Sequence, residues 1–376
     1  MARLGDVVRI EASSQKSVGD RFWLLNLDMV EQQTGNIIDY NYVGKDALNG
    51  SIIQFDTGCV LYSKLRPNLN KVVIPNQDGF ATSEMLPLRP NTKLLTREYL
   101  TVFLRSDSFV TWAVSKTAGA KMPRLGSKEL LGKEIPLPSI SEQIRIAGQF
   151  AKVDELISLR KEQLAKLDQL VKSRFIELFG DTIINPFNWE KNSLGIVCDV
   201  RDGTHDSPQY YETGYPLVTS KNVTGGKIDL TDCSLICETD FKKINERSKV
   251  DIGDIIMPMI GTVGKPVIVD IEPNFAIKNV SLIKFKVDSR VLNIYIRALL
   301  QSDYFDDAVL SKVRGGTQKF ISLGDIRKLE VLVPPMELQK QFADFVEQTD
   351  KSKFEIQKSL EKLETLKNSL MQKYFG

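Results

Sequence analysis

Two long stretches of the chain carry apolar and long side chains at alternating intervals of three and four residues. In residues 139–178 these positions are Ile157, Arg160, Leu164, Leu167, Val171, Arg174 and Leu178, and in residues 336–375 they are Lys353, Ile356, Leu360, Leu363, Lys367, Leu370 and Tyr374. This spacing places the side chains on one helical face and is typical of a coiled-coil seam. Because neither stretch contains proline, the pattern predicts two helices of about 40 residues, each about 60 Å long.

Local signals mark the ends of both helices. Ser139, followed three residues later by Glu142, is a capping-box pattern that satisfies backbone N–H groups at a helix start. Pro335 suits the first turn of the second helix because its nitrogen has no hydrogen to leave unpaired. Gly180 is the predicted end of the first helix.

The segments before the helices alternate short apolar runs with Gly, Asn, Asp and Pro turns. SIIQF, CVLYSKL and KVVIP in the first half, and DIIMPMI, PVIVDI and SLIKFKV in the second, predict β-strands. TREYLTVFLRS and LNIYIRALLQS predict one short helix in each half. The expected fold class is therefore mixed α/β (α+β).

A repeat of 196 positions relates the two halves of the chain. Residues 115–180 align with residues 311–376 without a gap, and 15 of the 66 positions are identical. The identities include Gln143 with Gln339. A shared coiled-coil composition does not explain the matches of Pro138 with Pro334, Gly119 with Gly315 and Ser115-Lys116 with Ser311-Lys312. We therefore interpret the chain as two diverged copies, 1–180 and 181–376.

The repeat predicts the domain organisation. A strand-rich domain at 1–138 precedes a helix at 139–180, and a second strand-rich domain at 181–334 precedes a helix at 335–376. The first helix delivers the chain to the second domain, and the second helix follows that domain after a short connection. If the helices pair, they must run antiparallel. We expect an antiparallel coiled coil with pseudo-twofold symmetry that joins two unlike domains.

Composition is that of a globular protein without a strong charge. Hydrophobic residues make up 42% of the chain, charged residues 26%, and the formal net charge is +2. Residues 1–138 hold 17 Lys and Arg against 14 Asp and Glu, and residues 181–334 hold 19 against 21. Neither domain is basic enough to dominate binding to phosphates, so partners should supply part of that term. The sequence lacks a signal-peptide pattern and a membrane span, and we expect a cytoplasmic protein.

Catalytic motifs fail wherever the sequence offers a fragment of one. GTVGKP at 261–266 resembles part of a phosphate-binding loop, but that loop needs glycine at the position of Met259 and Ser or Thr at that of Pro266. With one histidine, His205, a His-based triad or a multi-histidine metal site is hard to build. The four cysteines lack the spacing of a zinc site. We expect no catalytic residue and no metal site in this chain.

Several motifs in the order domain, helix, domain, helix carry a family resemblance. LYSKLRPNLNKVVIPNQDGFATSEMLPLRP at 61–90 and GAKMPRL at 119–125 lie in the first domain. RDGTHDSPQYYETGYPLVTSKNV at 201–223, MIGTVGKPVIV at 259–269 and GGTQKFIS at 315–322 lie in the second. Together with the helices that begin SISEQIRIAGQF and MELQKQFADF, they resemble the specificity subunits of type I restriction-modification systems over nearly the whole chain.

The resemblance implies a subunit without chemistry of its own. Residues 1–138 and 181–334 would be tandem target-recognition domains, each reading one half of a split, asymmetric site in double-stranded DNA. The helices at 139–180 and 335–376 would set the distance between the half-sites. No cofactor is expected in this chain. Two methyltransferase (modification) subunits would use S-adenosylmethionine, and restriction (motor-nuclease) subunits would use ATP and Mg.

Polar residues in the motif loops are the candidate DNA contacts. Arg and Lys can read guanine, Asn and Gln can read adenine, and Glu can accept from cytosine. The candidates in the first domain are Lys64, Arg66, Lys71, Ser83, Glu84, Lys121 and Arg124, and those in the second are Thr204, His205, Lys221, Asn222, Thr262, Lys265, Lys278, Asn279, Gln318 and Lys319. For each of these residues, a role as a solvated charge or a turn residue is the alternative.

The helices also carry more apolar residues than a two-helix seam covers. The predicted methyltransferase contacts are Ala147, Phe150, Leu167, Leu170, Leu363 and Leu366. A second interpretation stays open, in which the chain is a non-catalytic coiled-coil scaffold that binds two protein ligands and no DNA.

Overall fold

The computed structural model describes residues 1–14, 19–48, 50–119, 121–260, 264–308 and 320–376. The chain divides into two compact units. Unit 1 is Met1–Lys161 together with Lys358–Gly376, and unit 2 is Glu162–Gln357. Two 40-residue helices, α5 (Ile140–Phe179) and α11 (Met336–Phe375), each contribute residues to both units.

Unit 1 contains short strands and helices before α5. They are β1 (Ala2–Arg3), α1 (Leu4–Val7), β2 (Val8–Ile10), β3 (Arg21–Leu25), β4 (Tyr42–Gly44), β5 (Ile52–Phe55), β6 (Val60–Ser63), β7 (Val72–Val73), β8 (Gly79–Thr82), β9 (Met85–Pro90), α2 (Arg97–Leu104), α3 (Asp107–Ser115), β10 (Thr117–Ala118), β11 (Arg124–Leu125), α4 (Ser127–Gly132) and β12 (Glu134–Ile135). One sheet has the strand order β2-β9-β6-β7 and another has the order β4-β3-β8-β5. Strands β8 and β9 follow each other in the chain but belong to different sheets.

Unit 2 repeats this plan. Its elements are β13 (Glu190–Ser193), α6 (Leu194–Val197), β14 (Asp199–Asp202), β15 (Tyr215–Val218), β16 (Val223–Thr224), β17 (Lys227–Ile228), β18 (Ser234–Ile236), α7 (Glu238–Ser248), β19 (Ile255–Pro258), β20 (Val267–Ile268), β21 (Ala276–Ile277), β22 (Val280–Lys284), α8 (Asn293–Leu299), α9 (Asp303–Ala308), α10 (Leu323–Arg327) and β23 (Glu330–Val333). The sheet β14-β22-β19-β20 corresponds to β2-β9-β6-β7, and β18-β15-β21 corresponds to β4-β3-β8. Here β21 and β22 are the consecutive strands that belong to different sheets.

The end of a long helix enters the core of each unit. In unit 1, Phe375 of α11 packs 5.4 Å from the ring of Tyr99 and 5.9 Å from that of Phe103. In unit 2, Phe179 of α5 packs 4.8 Å from the ring of Tyr295 and 5.5 Å from that of Phe342. Buried aromatic pairs contribute about 0.5–1.5 kcal/mol beyond their area burial, so these contacts fix the helix ends to the unit cores.

A buried glutamine explains one identity of the repeat. Gln143 is fully buried; its amide donates to Leu94 O at 2.8 Å and Pro138 O at 2.9 Å and accepts from Thr96 N at 2.9 Å. Gln339, also fully buried, makes the same three bonds, to Arg290 O at 3.0 Å, Pro334 O at 2.8 Å and Leu292 N at 2.8 Å. A buried amide must be hydrogen-bonded, so both copies retain the residue that satisfies these backbone groups.

The structure confirms the predicted secondary structure and adds further elements. Both long helices and the six predicted strands are present, and Gly180 ends α5 with φ +76°, where a Cβ would lie 2.5 Å from Pro186. The two predicted short helices are present as α2 and α8, and the structure adds short helices that were not predicted. Helix α3 follows α2 because the Ser106 hydroxyl caps it, accepting from Phe109 N at 3.3 Å, and α7 is a further helix of unit 2.

Candidate nucleic-acid interface

The turn between β8 and β9 gathers most of the candidate residues of unit 1. Glu84 in this turn accepts hydrogen bonds from Arg124 Nε at 3.1 Å and Nη2 at 3.0 Å. Lys64 joins the same cluster through backbone bonds, because its N–H donates to Glu84 O at 3.0 Å and its carbonyl accepts from Leu125 N at 2.9 Å. The fold thus brings Lys64, Ser83, Glu84 and Arg124 together from three separate parts of the sequence.

Arg66 and Lys121 extend this cluster into solvent. Arg66 is exposed, has φ 48°, and donates its backbone N–H to Pro123 O at 2.8 Å. Lys121, two residues before Pro123, is also exposed. The bonds to Glu84 raise the pKa of the Arg124 guanidinium, so Arg124 stays charged at every physiological pH. One carboxylate and several cations therefore face solvent around this turn.

Lys71 is used differently from the other candidates. Its Nζ donates to Leu27 O at 2.5 Å, the residue is half-buried, and burial lowers its pKa. The ammonium therefore serves a backbone carbonyl within unit 1.

The corresponding turn of unit 2 lies between β21 and β22 and holds Lys278 and Asn279. Asn279 has φ 56°, a left-handed conformation that asparagine tolerates better than most residues. The loop after β14 lies directly against this turn, since Thr204 N donates to Ile277 O at 3.0 Å and Asn279 N donates to Thr204 O at 3.2 Å. A Cβ on Gly203 would lie 2.4 Å from Ile277 O, so only glycine permits this approach.

His205 connects the loop and the turn through both ring nitrogens. Its Nδ1 lies 2.9 Å from Asn279 Oδ1, and its Nε2 lies 2.8 Å from Asp202 Oδ2. The bonds to Asn279 and Asp202 raise the pKa of His205, with the Asn279 bond as the larger cause. The ring is 60% exposed, so it remains open to a ligand.

Two residues of this cluster were missed by sequence reasoning. Asp202 accepts from Arg247 Nη2 at 2.7 Å as well as contacting His205. Asp202 precedes His205 by three residues, and this short spacing could have indicated that the two side chains interact. Arg247 comes from α7, 45 residues away, and no local pattern pairs it with Asp202. Lys278 completes the polar surface, because its Nζ donates to Ser207 Oγ at 2.7 Å.

The remaining candidates of unit 2 lie elsewhere or are used within the unit. Asn222 is buried; its Oδ1 accepts from Thr219 N at 3.0 Å and its Nδ2 donates to Asp232 O at 3.3 Å. It therefore stabilises its own turn. Lys221 and Lys265 are exposed. Thr262, Gln318 and Lys319 lie outside the described residues.

The six apolar candidates on the helices differ in exposure. Ala147 and Phe150 are buried, and Phe150 belongs to the core of unit 1, so its surface is already covered within the chain. Leu167 and Leu363 are half-buried. Leu170 is 49% exposed and Leu366, its partner in the repeat, is 47% exposed. Among these six residues, Leu170 and Leu366 are the most exposed pair that the repeat relates.

Helices α5 and α11 contact each other within each unit. In unit 1, Asp154 pairs with Lys367 at 2.7 Å, and Arg160 Nε donates to Ser359 Oγ at 3.3 Å. In unit 2, Asp168 pairs with Lys353 at 2.6 Å. As the residue number rises along α5, it falls along α11.

Two further findings concern the described part of the chain alone. No helix there is long and apolar enough to cross a membrane. Within the same residues, no group of three or more His, Cys, Asp and Glu side chains is placed to hold a metal ion.

Comparison with known proteins gives consistent matches. The family model for the type I restriction modification DNA specificity domain matches twice, over residues 3–169 and 186–368. The type I restriction enzyme MjaIX specificity subunit of Methanocaldococcus jannaschii is 26% identical over 383 residues, covering 94% of this chain and 86% of that protein. The MjaVIII specificity subunit of the same organism is 26% identical over 313 residues, covering 78% and 72%.

Solved structures share the fold. The S subunit of a type I restriction-modification system from M. genitalium matches with a TM-score of 0.60 at 14% identity, covering 100% of this chain and 95% of that one. A chain from a structural study of complex assembly and conformational transition in the type I R-M system also gives 0.60, at 20% identity and coverage of 100% and 96%.

Proposed function

Because this chain belongs to the family of type I restriction modification DNA specificity domains, whose members recognise DNA and do not catalyse a reaction, we propose that each unit reads one half of a bipartite DNA site. One observation carries the proposal. The turn that crosses from one sheet to the other occurs in both units, but it holds Ser83 and Glu84 in unit 1 and Lys278 and Asn279 in unit 2. Equivalent turns with different hydrogen-bonding groups suit two different half-sites, and the DNA site is therefore asymmetric.

The basic side chains near each turn supply phosphate contacts. In unit 1 they are Lys64, Arg66, Lys121 and Arg124, and in unit 2 they are Lys278 and Arg247. Lys221 and Lys265, which are exposed elsewhere in unit 2, remain candidates by their motifs. Thr204 and His205 belong to the same recognition surface, and Thr262, Gln318 and Lys319 remain candidates by their motifs. Lys71 and Asn222 support their loops from within. So few cations give weak binding on their own, and partner subunits contribute the rest.

The long helices pair as an antiparallel coiled coil with pseudo-twofold symmetry and set the distance between the half-sites. The contacts of Asp154 with Lys367 and of Asp168 with Lys353 support the antiparallel direction. Exposed ion pairs contribute at most about 1 kcal/mol each, so the apolar seam provides most of the pairing energy. The domain boundaries that follow are 1–138 and 181–334 for the recognition domains, and 139–180 and 335–376 for the helices.

Two methyltransferase subunits dock on the helices, one beside each copy of the repeat. The half-exposed Leu170 and Leu366 support this stoichiometry because they occupy equivalent positions. The methyltransferase subunits use S-adenosylmethionine, and the restriction subunits use ATP and Mg. This chain provides the sequence recognition in double-stranded DNA.

A gel-shift experiment tests the proposal. The full chain, with and without its methyltransferase subunits, is mixed with a duplex library in which two blocks of bases are randomised on either side of a spacer. We expect a bipartite consensus that is bound tightly only when the methyltransferase subunits are present. Glu84→Ala should relax one block and Asn279→Ala the other, because these turn residues offer the groups that could read bases. A chain that assembles two protein ligands but selects no DNA sequence would establish the scaffold interpretation instead.

A further inference from the structure

His205 lies at the centre of the loop cluster in unit 2, and it is the single histidine of the sequence. Each ring nitrogen faces a side chain from a different segment. Nε2 is 2.8 Å from Asp202 Oδ2 at the end of β14, and Nδ1 is 2.9 Å from Asn279 Oδ1 in the turn between β21 and β22. The two contacts differ in chemistry, because one partner is a carboxylate and the other an amide.

The carboxylate determines which nitrogen titrates. An ionised carboxylate can only accept hydrogen bonds, so Nε2 keeps its hydrogen in both the charged and the neutral ring. Nδ1 is therefore the nitrogen that gains or loses the proton. Fixing the tautomer of an imidazole through a hydrogen bond to its other nitrogen is a general property of histidine sites.

The state of Nδ1 then decides the orientation of the Asn279 amide. In the charged ring Nδ1 donates, and its partner must be the amide oxygen, as observed at 2.9 Å. In the neutral ring Nδ1 has a lone pair, and only the amide NH2 of Asn279 can satisfy it. The neutral state thus turns the amide over, and the group on its outer edge changes from NH2 to oxygen.

Several charged groups surround the ring. Asp202 lies against Nε2 and is itself held by Arg247 of α7 at 2.7 Å. Lys278 reaches Ser207 Oγ at 2.7 Å. Asp206, Asp240 and Lys243 line the surface groove that also contains His205. The bonds to Asn279 and Asp202 raise the pKa of His205, while partial burial and the charge of Arg247 oppose that shift. The charged form therefore persists to a higher pH than in an isolated imidazole.

We propose that His205 is a positioning residue whose protonation decides whether Asn279 offers a hydrogen-bond donor or an acceptor to DNA. The inference rests on the proposed function, in which unit 2 reads a half-site. Charged His205 leaves the NH2 outermost, which suits acceptors such as guanine O6 and N7 or thymine O4. Neutral His205 leaves the oxygen outermost, which suits the N6 amino group of adenine or the N4 amino group of cytosine.

Unit 1 provides an internal control for this behaviour. Its equivalent turn holds Glu84, which is bound by Arg124 through two guanidinium nitrogens. This unit contains no histidine, so no imidazole lies beside its turn. The base preference of the half-site read by unit 1 should therefore be independent of pH.

The test uses the full chain assembled with its methyltransferase subunits and a duplex library with both half-sites randomised. Methylated molecules are sequenced after reaction at about pH 6 and about pH 9, on either side of the ordinary imidazole pKa of about 6.5. We expect the base preference to change by about fivefold or more at one position of one half-site, with the other half-site unchanged. His205→Gln and Asn279→Asp should each remove this pH response. The first variant has no imidazole to titrate, and the carboxylate of the second has no NH2 group to present.

The outcomes separate the inference from the proposed function. Sequence-specific methylation with the same base preference at both pH values would overturn the inference and leave the proposed function intact. A pH response that persists in His205→Gln would also overturn it. Methylation without any sequence preference would refute the proposed function and the inference with it.

A measurement on the wild-type protein makes the test independent of the variants. The ¹⁵N chemical shifts of the single histidine ring report which nitrogen is protonated. We expect the neutral ring to carry its hydrogen on Nε2. A neutral ring with its hydrogen on Nδ1 would overturn the inference, because Nδ1 would then donate to Asn279 Oδ1 in both charge states and the amide would keep one orientation.

Discussion

The sharpest prediction concerns the role of α5 and α11 in setting the distance between half-sites. The perturbation is a duplication of residues 155–161 in α5 and of residues 351–357 in α11. Both insertions then fall at the boundary between units, after Lys161 and after Gln357. The contacts within each unit are kept, and seven residues preserve the repeat of the coiled-coil seam.

The magnitude follows from helix geometry. Seven residues at about 1.5 Å each add about 10 Å, which corresponds to about three base pairs at about 3.4 Å each. Three base pairs also rotate the second half-site by about 100°, given about 10.5 base pairs per turn. A smaller shift or weaker binding at every spacer is therefore compatible with one heptad. Three heptads add about 31 Å, or about nine base pairs, and bring the half-site almost back into phase.

The assay is methylation, by the reconstituted complex, of a DNA library in which the spacer length is varied. We expect the three-heptad variant to prefer a spacer about nine base pairs longer than wild type. A control variant carries the insertion in α5 alone, and it should lose activity at every spacer because the two helices then differ in length by seven residues and cannot pair along their whole length. If the one-heptad and the three-heptad variants, each with insertions in both helices, keep full activity at the original spacer, the helices do not set the distance.

Three more predictions address stability, partner binding and chain connectivity. Gln339→Leu removes three buried hydrogen bonds and should lower the free energy of unfolding of unit 2 by about 3 kcal/mol. Hydrogen exchange should become faster in unit 2 only, and exchange that is unchanged or equally faster in unit 1 would contradict this. The double variant Leu170→Asp, Leu366→Asp should abolish co-purification with the methyltransferase subunits. Ile176→Asp, a control at a 59% exposed residue on a different face of α5, should not. If the double variant and the control co-purify with the methyltransferase subunits equally well, the proposed docking surface is wrong. Met1 and Gly376 belong to the same unit, so a circular permutant that starts at Asp181 and links Gly376 to Met1 should keep its DNA specificity; a folded permutant that reads another arrangement of half-sites would argue against antiparallel helices.

Local patterns in the sequence were sufficient to predict the two long helices, two short helices, six of the strands and the two-copy organisation. The seam spacing and the absence of proline act over a few residues, and α5 and α11 lie within one residue of the predicted stretches. The identities at Gln143 and Gln339 survived divergence because each amide satisfies three backbone groups. The family resemblance was likewise carried by residues in order along the chain, and the double match of the family model agrees with it.

The use of individual side chains was decided only by tertiary structure. Nothing local distinguishes Lys71, which binds Leu27 O, from Lys64, which lies beside the turn at Glu84. Phe150 and Leu170 both extend the apolar face of one helix, but Phe150 is buried in the core of unit 1 and Leu170 is exposed. The pairing of Asp202 with Arg247 spans 45 residues. Hydrogen bonds and burial depend on which segments the fold brings within a few ångströms, and sequence spacing does not encode that distance.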